Sequence, residues 1–510
     1  MENNSSFKSI LLKNTFWIYF FGYMTALLAY GSKLIYGKSL SVELFGLVYA
    51  LIGFFVLISV FNDFGFSDAI IYFGVKYYER KDLYSLKFLF VTAFLNQLLL
   101  SLFFIFIMYI LSPLILEKYF KVQIDLSIFF IFFLYFISLN FSKTIQNFFI
   151  IKNNFFLPKL YLFLQFLLVT VLSFLLLTIN KLNLYYISLI WSIPFFILTL
   201  IFFIVLLFHY VELKKIKYVF DLKHYKKIYK YAFSIFIGIS AMIIITKIDI
   251  YFIIYYLDLF NVGIYEVLLT IVSIIPTFIG PISTLILSTS TRLIELKKLN
   301  ELSYLITQIY KVYMLIAIPL GSLFIVFANE LIQYLFSVNF LVGAQVLKIP
   351  VITAILSLFF SINYNLLLGM GKVKKRNLII YFSALLNLFL NFLLVVYFKL
   401  ELFGIALATL ISISIMFWFT MRAIVENGIS ILISKLYLLK IIFLNIIFYY
   451  SLIFFKNNLF FNFVIFGLNL SLLIKLFLIL FISGLIYLIL ARIFNLYSFD
   501  EILKLIKNKK

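Results

Sequence analysis

The chain has 510 residues, of which 65% are hydrophobic and 12% charged, with a mean hydropathy of +1.16 and a formal net charge of +22. A folded globule in water must cover itself with polar groups, so this composition excludes a soluble enzyme, a nucleic-acid module and a disordered chain. It leaves a polytopic membrane protein, and at about 20 apolar residues per span the length holds roughly 12–15 helices.

The apolar runs are too long for barrel strands and lack period-2 alternation, so they read as helices. They fall at 14–32, 44–74, 86–115, 124–148, 157–179, 184–209, 231–257, 262–290, 308–328, 346–369, 377–398, 402–424, 432–454 and 471–492. The expectation is an all-α membrane protein of about fourteen spans. The first run, with Lys8 and Lys13 before it and Ala29-Tyr30-Gly31 after, has the outline of a signal peptide. It is long enough to span, and the charge pattern needs it as a retained helix. Residues 455–470 begin with Lys456-Asn457-Asn458 and then hold too few apolar residues to cross; they read as an external loop or a re-entrant segment.

Placing the N-terminus inside sorts the basic residues. The external loops receive only Lys33, Lys38, Lys118, Lys121, Lys181, Lys348, Lys399 and Lys456. Lys143 is counted with the cytoplasmic segment, and only Lys247 and Lys475 are placed inside spans. The resulting bias, roughly four to one, is what the positive-inside rule demands of a multi-pass protein with both termini cytoplasmic. The high net charge is therefore a matter of topology and of the anionic inner leaflet. No nucleic-acid partner is expected.

There is no cysteine, which excludes disulfides, thiolate metal sites and thiol catalysis. The 67 Phe and 36 Tyr run through loops and spans alike, as an A/T-rich coding sequence would give. The longest basic stretch, 210–230, holds Lys214, Lys215, Lys217, Lys223, Lys226, Lys227 and Lys230 around His224. It reads as a solvated loop on an anionic leaflet or as a surface helix hinging two six-helix halves. Nothing supplies His224 with a second metal ligand, and no metal site is expected. The expected divisions are 1–209 as an N-terminal six-helix lobe, 210–230 as a basic linker, 231–424 as a second six-helix lobe, and 425–510 as two further helices with a basic tail. Three helix starts echo one another: Glu43-Leu44-Phe45-Gly46, Val262-Gly263-Ile264-Tyr265 and Glu401-Leu402-Phe403-Gly404. Each glycine is expected to allow a tight turn at the start of its helix.

Charges inside the bilayer are expensive and mark cavities or partners. Asp63 and Asp68 lie roughly 30 Å down the second helix, near its inner end, where a wet interface, an inner gate or a proton site would suit them. Lys247 is roughly 15 Å deep, too far for an interfacial anchor, whereas Lys475 is close enough to an end to snorkel. Asp249, two residues on, faces nearly the opposite side of the helix. Glu266 enters from the same outer side, within reach of the Lys247 stem, so a Lys247–Glu266 bridge is one expectation and a cavity-facing Lys247 the other. Asn96 and Gln97, Asn363 and Asn365, and the pair Asn387 and Asn391 on one helix face suit interhelical hydrogen bonds or sugar contacts.

Four stretches carry a family resemblance. Phe45-Gly46-Leu47-Val48-Tyr49 with Asn62-Asp63-Phe64-Gly65-Phe66-Ser67-Asp68-Ala69 is the first, and Lys247-Ile248-Asp249 with Asn261-Val262-Gly263-Ile264-Tyr265 the second. Pro319-Leu320, Phe336 and Ala344-Gln345-Val346-Leu347 form the third. The fourth is Leu368-Gly369-Met370-Gly371-Lys372, then Asn387, Asn391 and Phe403-Gly404-Ile405-Ala406-Leu407-Ala408-Thr409. In order and spacing these resemble the polysaccharide-exporter branch of the multidrug/oligosaccharidyl-lipid/polysaccharide flippase superfamily, relatives of O-antigen flippases and, more distantly, of MATE drug exporters. The likeness covers about residues 10–425. Glu266 departs from it, standing where the family has a neutral polar residue, and Ser288-Thr289-Ser290-Thr291 replaces a Phe-Pro.

The resemblance implies two six-helix lobes around a central cavity in a cell membrane. It implies alternating-access flipping of a polyprenyl-diphosphate-linked oligosaccharide, with glycan-assembly proteins as further partners. Lys247, Asp249, Glu266, Asp63, Asp68, Asn387 and Asn391 are then the substrate or cavity candidates, Lys247 as a mobile point charge for the diphosphate. No cofactor is implied, and a coupling ion is left open. Two other functions compete: a cation-coupled drug exporter of the MATE type, and a multi-spanning glycosyltransferase or polymerase. The last would need acidic residues on sizeable external loops, and the first such loop offers only Glu43. A non-enzyme is expected.

Overall fold

The computed structural model describes residues 2–279, 281–458, 464–465, 468–469 and 471–496. The tail 497–510 and the side chains of Lys8, Lys13 and Lys475 lie outside the described residues. The helices gather into two compact units, Met1–Val267 with Leu335–Phe340, and Leu268–Tyr334 with Leu341–Lys510.

The first unit contains α1 (Glu2–Ser39), α2 (Val42–Asp63), α3 (Phe66–Glu79), α4 (Leu83–Leu114), α5 (Leu126–Ile151), α6 (Phe156–Thr178), α7 (Leu184–His209), α8 (Leu222–Tyr256) and the start of α9 (Leu259–Val272). Polar side chains cap the helix starts: Ser41 accepts from the Leu44 amide, Asp82 from Ser85, Asp125 from Ser127, Asn183 from Tyr186 and Asp221 from Lys223 and His224. Inside the unit α1 lies along α6 and α5 along α7, and α3 packs on α4, α5 and α8.

The second unit continues α9 and contains α10 (Ile274–Ile279), α11 (Pro281–Glu295), α12 (Leu299–Val326), α13 (Ala328–Leu335), α14 (Lys348–Gly369), α15 (Val373–Asn391), α16 (Glu401–Val425), α17 (Lys435–Asn458) and α18 (Ser471–Ile493). Here α14 packs on α11 and α16, and α17 joins α12 and α18 around Ile441, Leu444, Leu452 and Ile479. Of the ambiguous stretch 455–470, the first four residues complete α17. Val464–Ile465 pairs antiparallel with Leu468–Asn469.

Among the described residues eleven helical spans are long and apolar enough to cross a membrane, or twelve if the bent pair in α8 is one span. The apolar segments read from the sequence are helical, but their ends and continuity differ. The run 44–74 is two helices, broken where Phe64 and Gly65 take φ of 48° and 76°. Glycine is favoured at 65 twice over: its φ of 76° strains a side chain, and a Cβ there would sit 2.1 Å from the Ala232 carbonyl oxygen of α8. The run 262–290 is interrupted at Ser273, between α9 and α10. The stretch 210–230 is a short turn at Val211–Lys215, an extended strip, and the first turns of α8.

Two of the three echoed glycines, Gly46 and Gly263, let helices approach closely. A Cβ on Gly46 would lie 2.1 Å from the Leu259 carbonyl oxygen, and one on Gly263 would lie 2.3 Å from that of Val42. The backbones of α2 and α9 touch there, the close approach that small residues permit between membrane helices.

Candidate functional site

A cavity of about 260 Å³ opens within the first unit, walled by residues of α1, α2, α5, α6, α7, α8 and α9. The α1 wall follows from helical spacing: Ala29, Ser32, Lys33 and Tyr36 recur on one face. Tyr36 is fully buried, shares a hydrogen bond of 2.7 Å with Ser173 and accepts one of 3.2 Å from the Trp191 indole. Those bonds tie α1 to α6 and α7 one turn from Lys33. On α8 the wall residues Lys247, Ile250 and Tyr251 follow the same spacing, and Tyr251 donates 2.8 Å to the Gly53 carbonyl of α2. Glu266 is held on α9 one turn beyond Gly263, where α9 is pressed against α2.

The Lys33 ammonium lies 3.0 Å from the Glu266 carboxylate and 4.7 Å from the centroid of the Tyr49 ring. Glu266 is 7% exposed, so the pair is largely withdrawn from solvent. Lys247 also lines the cavity but is exposed, and among the described residues its ammonium has no hydrogen bond or ion pair. It stands where α8 bends by 58°. Two ammonium groups against one carboxylate leave the wall with a net positive charge. Aromatic faces from Tyr49, Tyr135, Phe166 and Trp191 complete it. Such a surface can attract an anionic group and shelter an apolar or sugar face beside it.

The remaining candidates are placed elsewhere. Asp249 is buried, accepts 2.9 Å from the Tyr265 hydroxyl and is absent from the cavity wall, as its position on the helix required. Asp63 is buried at the end of α2, and Asp68 is exposed on α3. Asn387 and Asn391 are fully buried in the second unit, where Asn391 donates 3.2 Å to Asn387, which donates 3.2 Å to Thr409 of α16. Asn363 likewise bridges Tyr310 and Thr420, and Asn96 accepts from Tyr225.

Sequence reasoning missed Lys33, which it put in a loop and which stands inside α1; Lys143, counted with the cytoplasmic charges though it falls within the run 124–148, stands inside α5. The signal that finds Lys33 is its register with Ala29, Ser32 and Tyr36. His224, read as one of a basic face, is half-buried: its ring packs 4.9 Å from Phe88 and bonds the Tyr77 hydroxyl.

Fold and composition define a multi-pass helical membrane protein with a charged, aromatic cavity in its first unit. The chain belongs to the polysaccharide biosynthesis protein family, which matches residues 11–287. An uncharacterized membrane protein of Methanocaldococcus jannaschii is 25% identical over 432 residues, 81% of this chain and 84% of that one. The solved structure of the lipid II flippase MurJ in an inward closed conformation superposes with a TM-score of 0.72 at 18% identity, covering 95% of this chain and 98% of that one. An inward-facing multidrug resistance MATE family transporter of the MOP superfamily gives 0.65 at 13% identity, covering 80% and 96%. At these identities the two structures establish a shared fold.

Proposed function

We propose that the protein flips a polyprenyl-diphosphate-linked oligosaccharide across a cell membrane by alternating access, for cell-surface glycan assembly, with both termini cytoplasmic. The observation that carries this reading is Lys247: an ammonium in a cavity wall, unpaired among the described residues, beside a Lys33 already satisfied by Glu266. A diphosphate supplies the negative charge that this wall lacks, and a lysine meets phosphate as a mobile point charge. Membership of the polysaccharide biosynthesis family supports a glycan as the cargo. In this reading Lys33 and Glu266 shape the cavity, and Lys247 meets the substrate.

The test is flipping of a synthetic polyprenyl-diphosphate oligosaccharide in proteoliposomes. Lys247→Ala should weaken apparent affinity by about tenfold or more, the equivalent of ~1.4 kcal/mol, and Lys247→Arg should restore part of it. Unchanged flipping by Lys247→Ala refutes the role given to this residue. The aromatic wall also favours a second reading, export of an amphipathic drug-like cation. That reading expects Glu266→Gln, not Lys247→Ala, to abolish binding of a cationic dye.

A further inference from the structure

The face of α5 turned toward α2 changes character half-way along. Its stripe runs Phe129, Phe132, Phe136, then Asn140, Lys143, Asn147. The matching stripe of α2 runs Phe55, then Ser59 and Asn62. In the aromatic half Phe55 lies 5.3 Å from Phe129, 5.5 Å from Phe132 and 6.3 Å from Phe136, ring to ring. In the polar half Lys143 donates 3.3 Å to the Ser59 hydroxyl, and Asn147 donates 2.9 Å to the Ser67 carbonyl.

This polar half is incomplete. Asn62 is 0% exposed, and neither its amide nitrogen nor its oxygen has a partner among the described residues. Asn140 is 1% exposed; its nitrogen donates to the Phe136 carbonyl, but its oxygen has no partner. Each stands one turn from the Ser59–Lys143 contact, and both belong to the facing stripes. Asp63 follows Asn62 and accepts from the amide and hydroxyl of Ser67 across the α2–α3 break. Lys143 and Asp63 interact electrostatically but do not close to a contact ion pair within 4.0 Å. Asp68 on α3 also interacts with Asp63 and lies near Tyr231 of α8, the helix that carries Lys227 and Lys230.

Unsatisfied amides and a separated charge pair inside a bilayer call for water, since donors and acceptors left unmade there cost more than ordered water that bonds them. Asn140 lies about 16 Å along α5 from its end at Ile151, so water there reaches well into the span. We propose that the polar half of this seam is a water-filled crevice in which Asp63 is a proton-binding site and Lys143 its counter-charge. A metal cation does not suit it, because the ammonium already supplies the balancing charge. A proton moved through water from Lys143 to Asp63 turns carboxylate and ammonium into carboxylic acid and amine and leaves the net charge of the site at zero.

The absence of cysteine makes the test direct. Single cysteines at Asn62, Asn140 and Lys143, and at Phe55 and Phe132 as dry controls, are treated in purified, monodisperse protein with a small water-borne methanethiosulfonate. The polar positions should react at least about tenfold faster than the aromatic ones, because the thiolate forms only where water reaches it. Should Lys143→Cys misfold, Asn62→Cys and Asn140→Cys carry the comparison. In parallel, a hydrophobic carbodiimide, which attacks protonated carboxyls, should modify Asp63 increasingly as pH falls, read by peptide mass spectrometry and lost in Asp63→Asn. Equal reactivity at polar and aromatic positions, or an Asp63 unmodified at every pH, overturns the proposal. Neither readout involves transport, so the outcome is independent of what the protein carries.

Discussion

Glu266 takes its partner from α1, with Lys33 at 3.0 Å. Removing one member of a withdrawn ion pair leaves the other charge uncompensated. Lys33 keeps 25% of its side chain exposed, so Glu266→Ala should cost ~3 kcal/mol, the low end for such pairs, and lower the Tm in detergent. Glu266→Gln should cost less, because the amide can still accept from Lys33. The double change Lys33→Glu with Glu266→Lys should recover most of the stability. No recovery in the swap would show that the two residues do not act as a pair. Lys247, Asp249 and Glu266 were legible as intramembrane residues because they interrupt apolar runs at a depth that helical rise converts to ångströms. The choice between Lys33 and Lys247 was not legible, since it depends on which helices are neighbours. Lys33 itself was hidden by ending the first helix at the first charge, whereas α1 runs on to Ser39.

Helix continuity is decided by contacts that the local sequence does not display. The run 44–74 contains no proline and reads as one span, yet it breaks at Phe64–Gly65 where α8 crosses against it. Gly65→Ala adds a strained φ and a Cβ 2.1 Å from a carbonyl oxygen, so it should destabilise by more than about 2 kcal/mol in a thermal melt. Wild-type stability in that variant would mean that α8 does not lie where it is described. The turn at Val211–Lys215 is tethered differently, by Lys152 bonded to Glu212 at 2.6 Å and lying 4.2 Å from the centroid of the Tyr210 ring. Burial pushes the Glu212 carboxyl up, but the Lys152 hydrogen bond and charge outweigh it, and the group is held below its ordinary range. A depressed carboxylate contributes stability above its unfolded pKa and loses it as pH falls through its folded one. Glu212 is 38% exposed in its side chain, so screening should keep the acid loss under about 1 kcal/mol, and Glu212→Gln should abolish that pH dependence.

At the scale of the whole chain, composition alone established a helical membrane protein, and the lysine distribution proposed its orientation. That orientation predicts that a cysteine at Asn180 reacts with an impermeant maleimide added to intact cells and one at Asn377 does not; the reverse pattern inverts the topology. The boundary between the two units was not legible. The contact boundary falls inside α9, between Val267 and Leu268. Units are defined by which side chains meet in space, while a run of lysines records only which surface faces water.

The contact of α2 with α9 has a genetic corollary. Gly46 and Gly263 each face a backbone oxygen of the other helix at a distance no Cβ tolerates. Every missense codon one base away from a glycine codon encodes a residue with a Cβ, alanine and serine included. No single-nucleotide missense step at either position therefore avoids the clash, although both residues lie in apolar stretches where many substitutions are tolerated. A library of random point mutations selected for folded protein should show these two positions depleted of all missense variants. Suppressors should arise in the partner helix near Val42 and Leu259, where a shift of the backbone can make room.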